Sequence, residues 1–304
     1  MPANPFDKAS RHLAKADPDT FFAWATGLPR AAFAFDGWLD TRAVPLPHEP
    51  DQIGDTVARV RNTAATEPDW AVAVEFQIEP DALMFGRLMV YLGQLWLGLK
   101  PDDERGSRFN LAGVVVNLTG TGDASRDMRW PSAGAVTQLR VIERNLASEN
   151  AEDLLAGVES GRWSRAVLPW LPLMTGGDDA GIIDRWKALA DGEPDQRQKA
   201  TYALLALTFA GAAGRKAIWE KALEGWNMIE SEVANEWMAV GKAKGVAEGL
   251  TTALVAVLEA KFGSIPAEVE TAVRACADLA KLQTWTTQAA TAATLAEFRT
   301  AAGV

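Results

Sequence analysis

The stretch that most constrains this chain is Trp70-Ala-Val-Ala-Val-Glu-Phe-Gln77. Side chains on a strand alternate faces with period two. Val72, Val74, Phe76 and Ile78 therefore share one face, and Ala71, Ala73, Glu75 and Gln77 share the other. The strand reads as buried, which places the Glu75 carboxylate among small apolar neighbours. Such a group is costly to bury unless something pairs with it. A preceding strand is expected near 55–61, and it begins on a second carboxylate, Asp55. Two carboxylates meeting at a strand edge suit a hard cation such as Mg²⁺. The structural alternative for Glu75 is a salt bridge to Arg59 or Arg87.

Around these strands the pattern alternates between helix and sheet. Residues 6–27 read as two short helices, with Asp17-Pro-Asp-Thr20 as the break and N-terminal signal of the second. Pro45, Pro47 and Pro50 make 43–53 an extended edge segment. Asn62 to Asp69 forms a hairpin loop. Glu79-Pro-Asp81 ends the strand and opens an apolar helix reaching residue 99, with proline suited to the first turn. Arg87 and Tyr91 lie four apart on it and share a face. Leu111 to Leu118 is a buried strand, Gly120 to Gly134 a polar connection, and Val136 to Asn145 one more candidate strand. This order predicts a mixed sheet flanked by helices, an α/β (α+β) core, with an all-helical C-terminal half. The expected divisions are 1–145, 146–238 and 239–304.

Composition narrows the function classes. The chain has 304 residues and a net charge of −10. Residues 1–120 carry 11 basic and 16 acidic side chains, so no broad basic footprint marks the core for nucleic acid. One cysteine, Cys276, excludes an intramolecular disulfide, and two histidines, His12 and His48, disfavour histidine-rich metal sites and a Ser-His-Asp triad. No apolar run reaches the ~18 residues of a membrane-spanning helix, and the N-terminus lacks the pattern of a signal peptide. A soluble cytoplasmic protein is the expectation. Gly241, Gly245 and Gly249 recur every four residues, a smooth helical stripe suited to another helix of the chain or of a second copy.

The motifs in order then suggest a family. They are Asp7-Lys8 opening a short helix, a Phe-rich second helix, Asp55-x-x-x-Arg-Val60, Val74-Glu-Phe-Gln77 with Glu79-Pro-Asp81, Arg87-x-x-x-Tyr91, and Val114 to Leu118 ending in Thr119-Gly120. Further along come Asn150-Ala-Glu-Asp-Leu-Leu155, Leu168-Pro-Trp-Leu-Pro-Leu173, Leu258-Glu-Ala-Lys-Phe-Gly263 and Ala293-Thr-Leu-Ala-Glu-Phe298. This order resembles the Rpn or YhgA-like recombination-promoting nucleases, often labelled transposases, of the PD-(D/E)XK nuclease superfamily. The resemblance spans most of the chain and rests on order and spacing, since each motif is short.

The resemblance implies a DNA endonuclease core with Asp55 and Glu75 as ligands for Mg²⁺ or Mn²⁺. Gln77 stands where the wider superfamily has lysine, as it commonly does in the closer group. An amide positions water but cannot neutralise charge. A further cation is then needed, with Lys8 and Arg87 as candidates and Tyr91 beside Arg87 completing the expected catalytic set. DNA is the expected substrate, and self-association through the C-terminal helices is expected. The rival reading is a catalytically inactive interaction or regulatory protein on the same fold, favoured by the acidic balance and by Gln77.

Overall fold

The alternation over 70–77 becomes the centre of a five-stranded sheet. The structure is a computed structural model and describes residues 4–41, 56–63, 68–99, 108–276 and 278–304. Its strands are β1 (Phe33–Trp38), β2 (Val57–Asn62), β3 (Trp70–Gln77), β4 (Asn110–Asn117) and β7 (Ile142–Asn145), in the order β1-β2-β3-β4-β7. Between β4 and β7 the chain makes a separate two-stranded ribbon, β5 (Arg126–Trp130) and β6 (Ala135–Leu139). β1, β2 and β3 pair antiparallel in sequence, whereas β3–β4 and β4–β7 are parallel. Parallel neighbours need a crossover. Helix α3 (Met84–Gly98) supplies the one between β3 and β4.

The two faces of β3 are covered by different material. Ala71 and Ala73 pack with Tyr91, Leu92 and Leu95 of α3. Small residues on that face let the helix approach the sheet closely. On the other face, the ring of Phe76 lies 5.9 Å from that of Phe21, on α2 (Pro18–Thr26), and 5.9 Å from that of Trp170. Ahead of α2 comes α1 (Pro5–Ala16), capped by Asn4, and Asp17 caps α2 by accepting from the Thr20 amide at 3.1 Å.

Trp170 sits in Arg165–Leu173, a run of 3-10 turns containing Pro169 and Pro172. Proline has no N–H to donate and blocks continuation of an α-helix. The run therefore takes the form of buried 3-10 turns and not of an α-helix. Trp170 is 1% exposed, and its ring stacks with Trp24, Phe76 and Phe209 at 5.8, 5.9 and 4.8 Å. One side chain thus joins α2, β3 and α6 (Gln196–Ala212). The remaining helices of this part are α4 (Ala151–Glu159), α5 (Ala180–Asp191) and α7 (Lys216–Ala222).

Met1–Met228 form one compact unit and Ile229–Val304 a second. Helices α4 to α7 thus belong to the unit that holds the sheet. The second unit contains α8 (Glu232–Phe262), α9 (Ala267–Ala275), α10 (Leu279–Thr291) and α11 (Leu295–Ala302). Leu254, Leu258, Val269, Leu282, Trp285 and Phe298 form its core, and the Trp285 indole N–H donates to the Ala302 carbonyl at 3.0 Å. Gly249, on the predicted glycine stripe, is exposed with open space where a Cβ would stand. Among the described residues no helix is long and apolar enough to cross a membrane.

Three features went unpredicted: β1, strand β5 inside the expected polar connection, and the division of the expected 136–145 strand into β6 of the ribbon and β7 of the main sheet. The position of Trp170 gives a direct test of the packing. Trp170→Ala should destabilise the protein by about 3–5 kcal/mol, the range for emptying a buried aromatic site. Chemical denaturation followed by far-UV circular dichroism reads this, and a loss under ~1 kcal/mol would contradict the arrangement.

Candidate functional site

Glu75 is the buried carboxylate that the strand pattern predicts, 8% exposed on β3. It lies in register with Val115 of β4, and Val115 with Glu143 of β7. Met84, Arg87, Leu88 and Tyr91, all from α3, close over it. These side chains pack closely enough that the gap between them has no room for a water molecule. Burial in this dry setting pushes the Glu75 carboxyl up to about 7, against the opposing pull of Arg87 and Arg11 and with a small push from Asp7.

Neither expected salt bridge forms. Arg59 pairs with Asp69, its Nε at 2.7 Å from the carboxylate, and Arg87 pairs with Asp81 at 2.9 Å. Among the described residues no hydrogen bond or ion pair reaches the Glu75 carboxylate. Asp81 also accepts from the Leu83 amide at 2.8 Å, so one aspartate both braces the turn leading into α3 and holds the Arg87 head.

Of the five residues singled out from sequence, the fold brings three together: Glu75, Arg87 and Tyr91 line the same gap. The i, i+4 relation puts Arg87 and Tyr91 on the sheet-facing side of α3, and Tyr91 is 2% exposed. Gln77 is half-buried at the end of β3, in register with Asn117, which is in register with Asn145. It shares the face of Glu75 but is not among the residues lining the gap. Asp55 lies outside the described residues. Asp7 binds Arg11 at 3.0 Å on α1. Arg11 was not singled out from sequence, although its i, i+4 spacing from Asp7 is a visible pairing signal.

A polar network that the sequence did not suggest adjoins the site. Asn117 donates to Glu143 at 2.9 Å and to Asn145 at 2.8 Å. These side chains in turn accept from the backbone of the following loop, Asn145 from the Gly122 amide at 2.8 Å and Glu143 from the Ala124 amide at 2.9 Å. A Cβ at Gly122 would stand 2.6 Å from the Asn117 amide nitrogen, so the loop approaches only because residue 122 is glycine. The network fixes the loop at the C-terminal ends of the parallel strands, the usual location of sites in such sheets.

The described residues offer a hard cation one ligand, the Glu75 carboxylate, and the gap as closed has no space for a hydrated ion. Among the described residues no three His, Cys, Asp or Glu side chains converge. A larger cavity of about 720 Å³ lies elsewhere in the first unit, lined by Arg30, Trp163, Arg165, Tyr202 and others. Polar groups in its wall engage one another: Arg30 with Asp17 at 3.2 Å, Tyr202 with Glu193 at 3.4 Å, and Arg165 with the Leu189 carbonyl at 2.8 Å. Size alone does not make it the stronger candidate.

The raised Glu75 titration has a defined sign. The folded protein holds the proton between the ordinary glutamate value of 4.5 and about 7, while the unfolded chain has released it. The contribution to stability is complete below 4.5 and is lost as pH rises to about 7. In EDTA, the wild type should therefore lose stability relative to Glu75→Gln on going from pH 5 to pH 8. Urea unfolding of both proteins across that range tests this, and parallel curves would mean that Glu75 is not desolvated.

Scans against protein-family models, curated proteins and solved structures each return no match for this chain.

Proposed function

We propose that the protein is a divalent-metal-dependent DNA endonuclease that hydrolyses phosphodiester bonds, in the manner of the Rpn-like nucleases its motifs resemble. The observation that carries this reading is Glu75: a buried carboxylate on a central strand, with no hydrogen bond or ion pair from the described residues, beside an arginine held by its own aspartate. Structural carboxylates in cores are normally paired.

Glu75 and Asp55 would hold Mg²⁺ or Mn²⁺. When bound, the metal supplies a water of lowered pKa and charge stabilisation at the phosphate. Arg87 brings a fixed positive charge to the same gap, the role that lysine fills on the strand in the wider superfamily. Its pairing with Asp81 keeps the guanidinium oriented. Tyr91 packs the inner wall, and Gln77 would orient water at the strand end. A second reading, an inactive interaction protein on this fold, draws support from the amide at Gln77 and from the net charge of −10.

Nicking of supercoiled plasmid separates the two. The wild type should nick with Mn²⁺ or Mg²⁺ and not with EDTA, and Glu75→Ala should fall to the EDTA background. Arg87→Ala should reduce cleavage while leaving metal-induced thermal stabilisation in place, because only a metal ligand is needed for the latter. No cleavage and no metal-dependent thermal shift would favour the interaction protein. Equal cleavage by wild type and Glu75→Ala would remove Glu75 from the site.

A further inference from the structure

Helix α3 has a second apolar face, directed away from Glu75. Its sequence, Met-Phe-Gly-Arg-Leu-Met-Val-Tyr-Leu-Gly-Gln-Leu-Trp-Leu-Gly, contains one charged residue, Arg87. The inner side buries Met84, Leu88, Tyr91, Leu92 and Leu95. The outer side leaves Leu83 73%, Val90 49%, Leu97 62%, Met89 38% and Trp96 46% exposed. A helix apolar on nearly all sides belongs in an interior. Monomeric proteins rarely show so continuous an apolar stripe to water.

The stripe carries a pattern of its own. Leu83, Gly86, Val90, Gly93 and Leu97 follow one another at steps of three and four, the seven-residue repeat that keeps one line of a helix against a partner. Large and small residues alternate along it. Both glycines are exposed, with nothing within 4 Å of an added Cβ. A surface of large residues separated by gaps is complementary to a copy of itself. In a two-fold pairing the leucine and valine ridges of one helix would fill the glycine gaps of the other. Charge points the same way. Two chains of net charge −10 repel over most of their surfaces, but this face holds no carboxylate. Arg108 flanks it, its guanidinium 5.1 Å from the Trp96 ring centre and bonded to the Trp96 and Leu97 carbonyls at 2.8 and 2.9 Å, so the end of the stripe is fixed in place.

We infer that the protein is a homodimer joined through the outer face of α3, and that its occupant is the α3 of a second copy. The two Glu75 gaps then lie on the inner sides of the same helix pair. This goes beyond the nuclease reading and does not depend on it.

Size-exclusion chromatography with light scattering, on the full chain at high micromolar concentration, tests the inference. The wild type should elute at twice the chain mass. Val90→Lys and Leu97→Lys, both at exposed positions, should elute at the single-chain mass with unchanged far-UV circular dichroism. Gly249→Leu, on the stripe of α8, should remain dimeric. A monomeric wild type overturns the inference. So does a dimer that survives both lysine variants, or one that Gly249→Leu dissolves, which would place the contact on the C-terminal helices instead.

Discussion

β3 is buried on both faces and carries a carboxylate, and the organisation of the first unit follows from accommodating those two facts. Burial on both sides demands two layers of cover. The aromatic set around Trp170 supplies one and α3 supplies the other. The carboxylate demands either a partner or a proton. Among the described residues the nearby arginines are committed elsewhere, Arg59 to Asp69 and Arg87 to Asp81. What remains is a glutamate poised near neutrality. Perturbation of this kind, by desolvation beside a fixed charge, is common at functional sites.

The sequence revealed the parts of this arrangement that depend on local periodicity. β2, β3, α3 and β4 lie close to their expected spans, because a doubly buried strand and an apolar helix leave strong patterns. The pairing of Arg87 with Tyr91 on one side of a helix follows from spacing alone. β1 was hidden by its own irregularity. Gly37, at φ 113°, lies where the pairing with β2 slips between Phe35 and Trp38, so alternation fails over six residues. β5 was hidden because its residues are exposed on both faces, which leaves no core side to generate alternation, whereas β6 falls inside the strand expected over 136–145.

Long-range partners were illegible for a different reason. Asn117, Glu143 and Asn145 meet across 26 and 28 residues, and Trp24 stacks on Trp170 across a still longer span. Nothing local in any of these side chains names its counterpart. The same holds for the prolines of 165–173. They mark the absence of an α-helix, and only the tertiary fold turns that absence into a buried turn carrying the central tryptophan.

The position of positive charge around Glu75 bears on how such a site works without a strand lysine. At the end of β3, Gln77, Asn117 and Asn145 form a row of amides across three parallel strands, which carries dipoles but no net charge. The cations that act on Glu75 come from helices instead, Arg87 from α3 and Arg11 from α1. A helix can shift by small amounts without breaking a sheet ladder, whereas a strand residue is locked by its hydrogen bonds on both sides. In the proposed enzyme the charge opposite the phosphate would therefore be adjustable and the metal carboxylate rigid. Because the inner side of α3 sets the surroundings of Glu75 and its outer side forms the inferred dimer contact, pairing of two chains would fix where that adjustable charge sits.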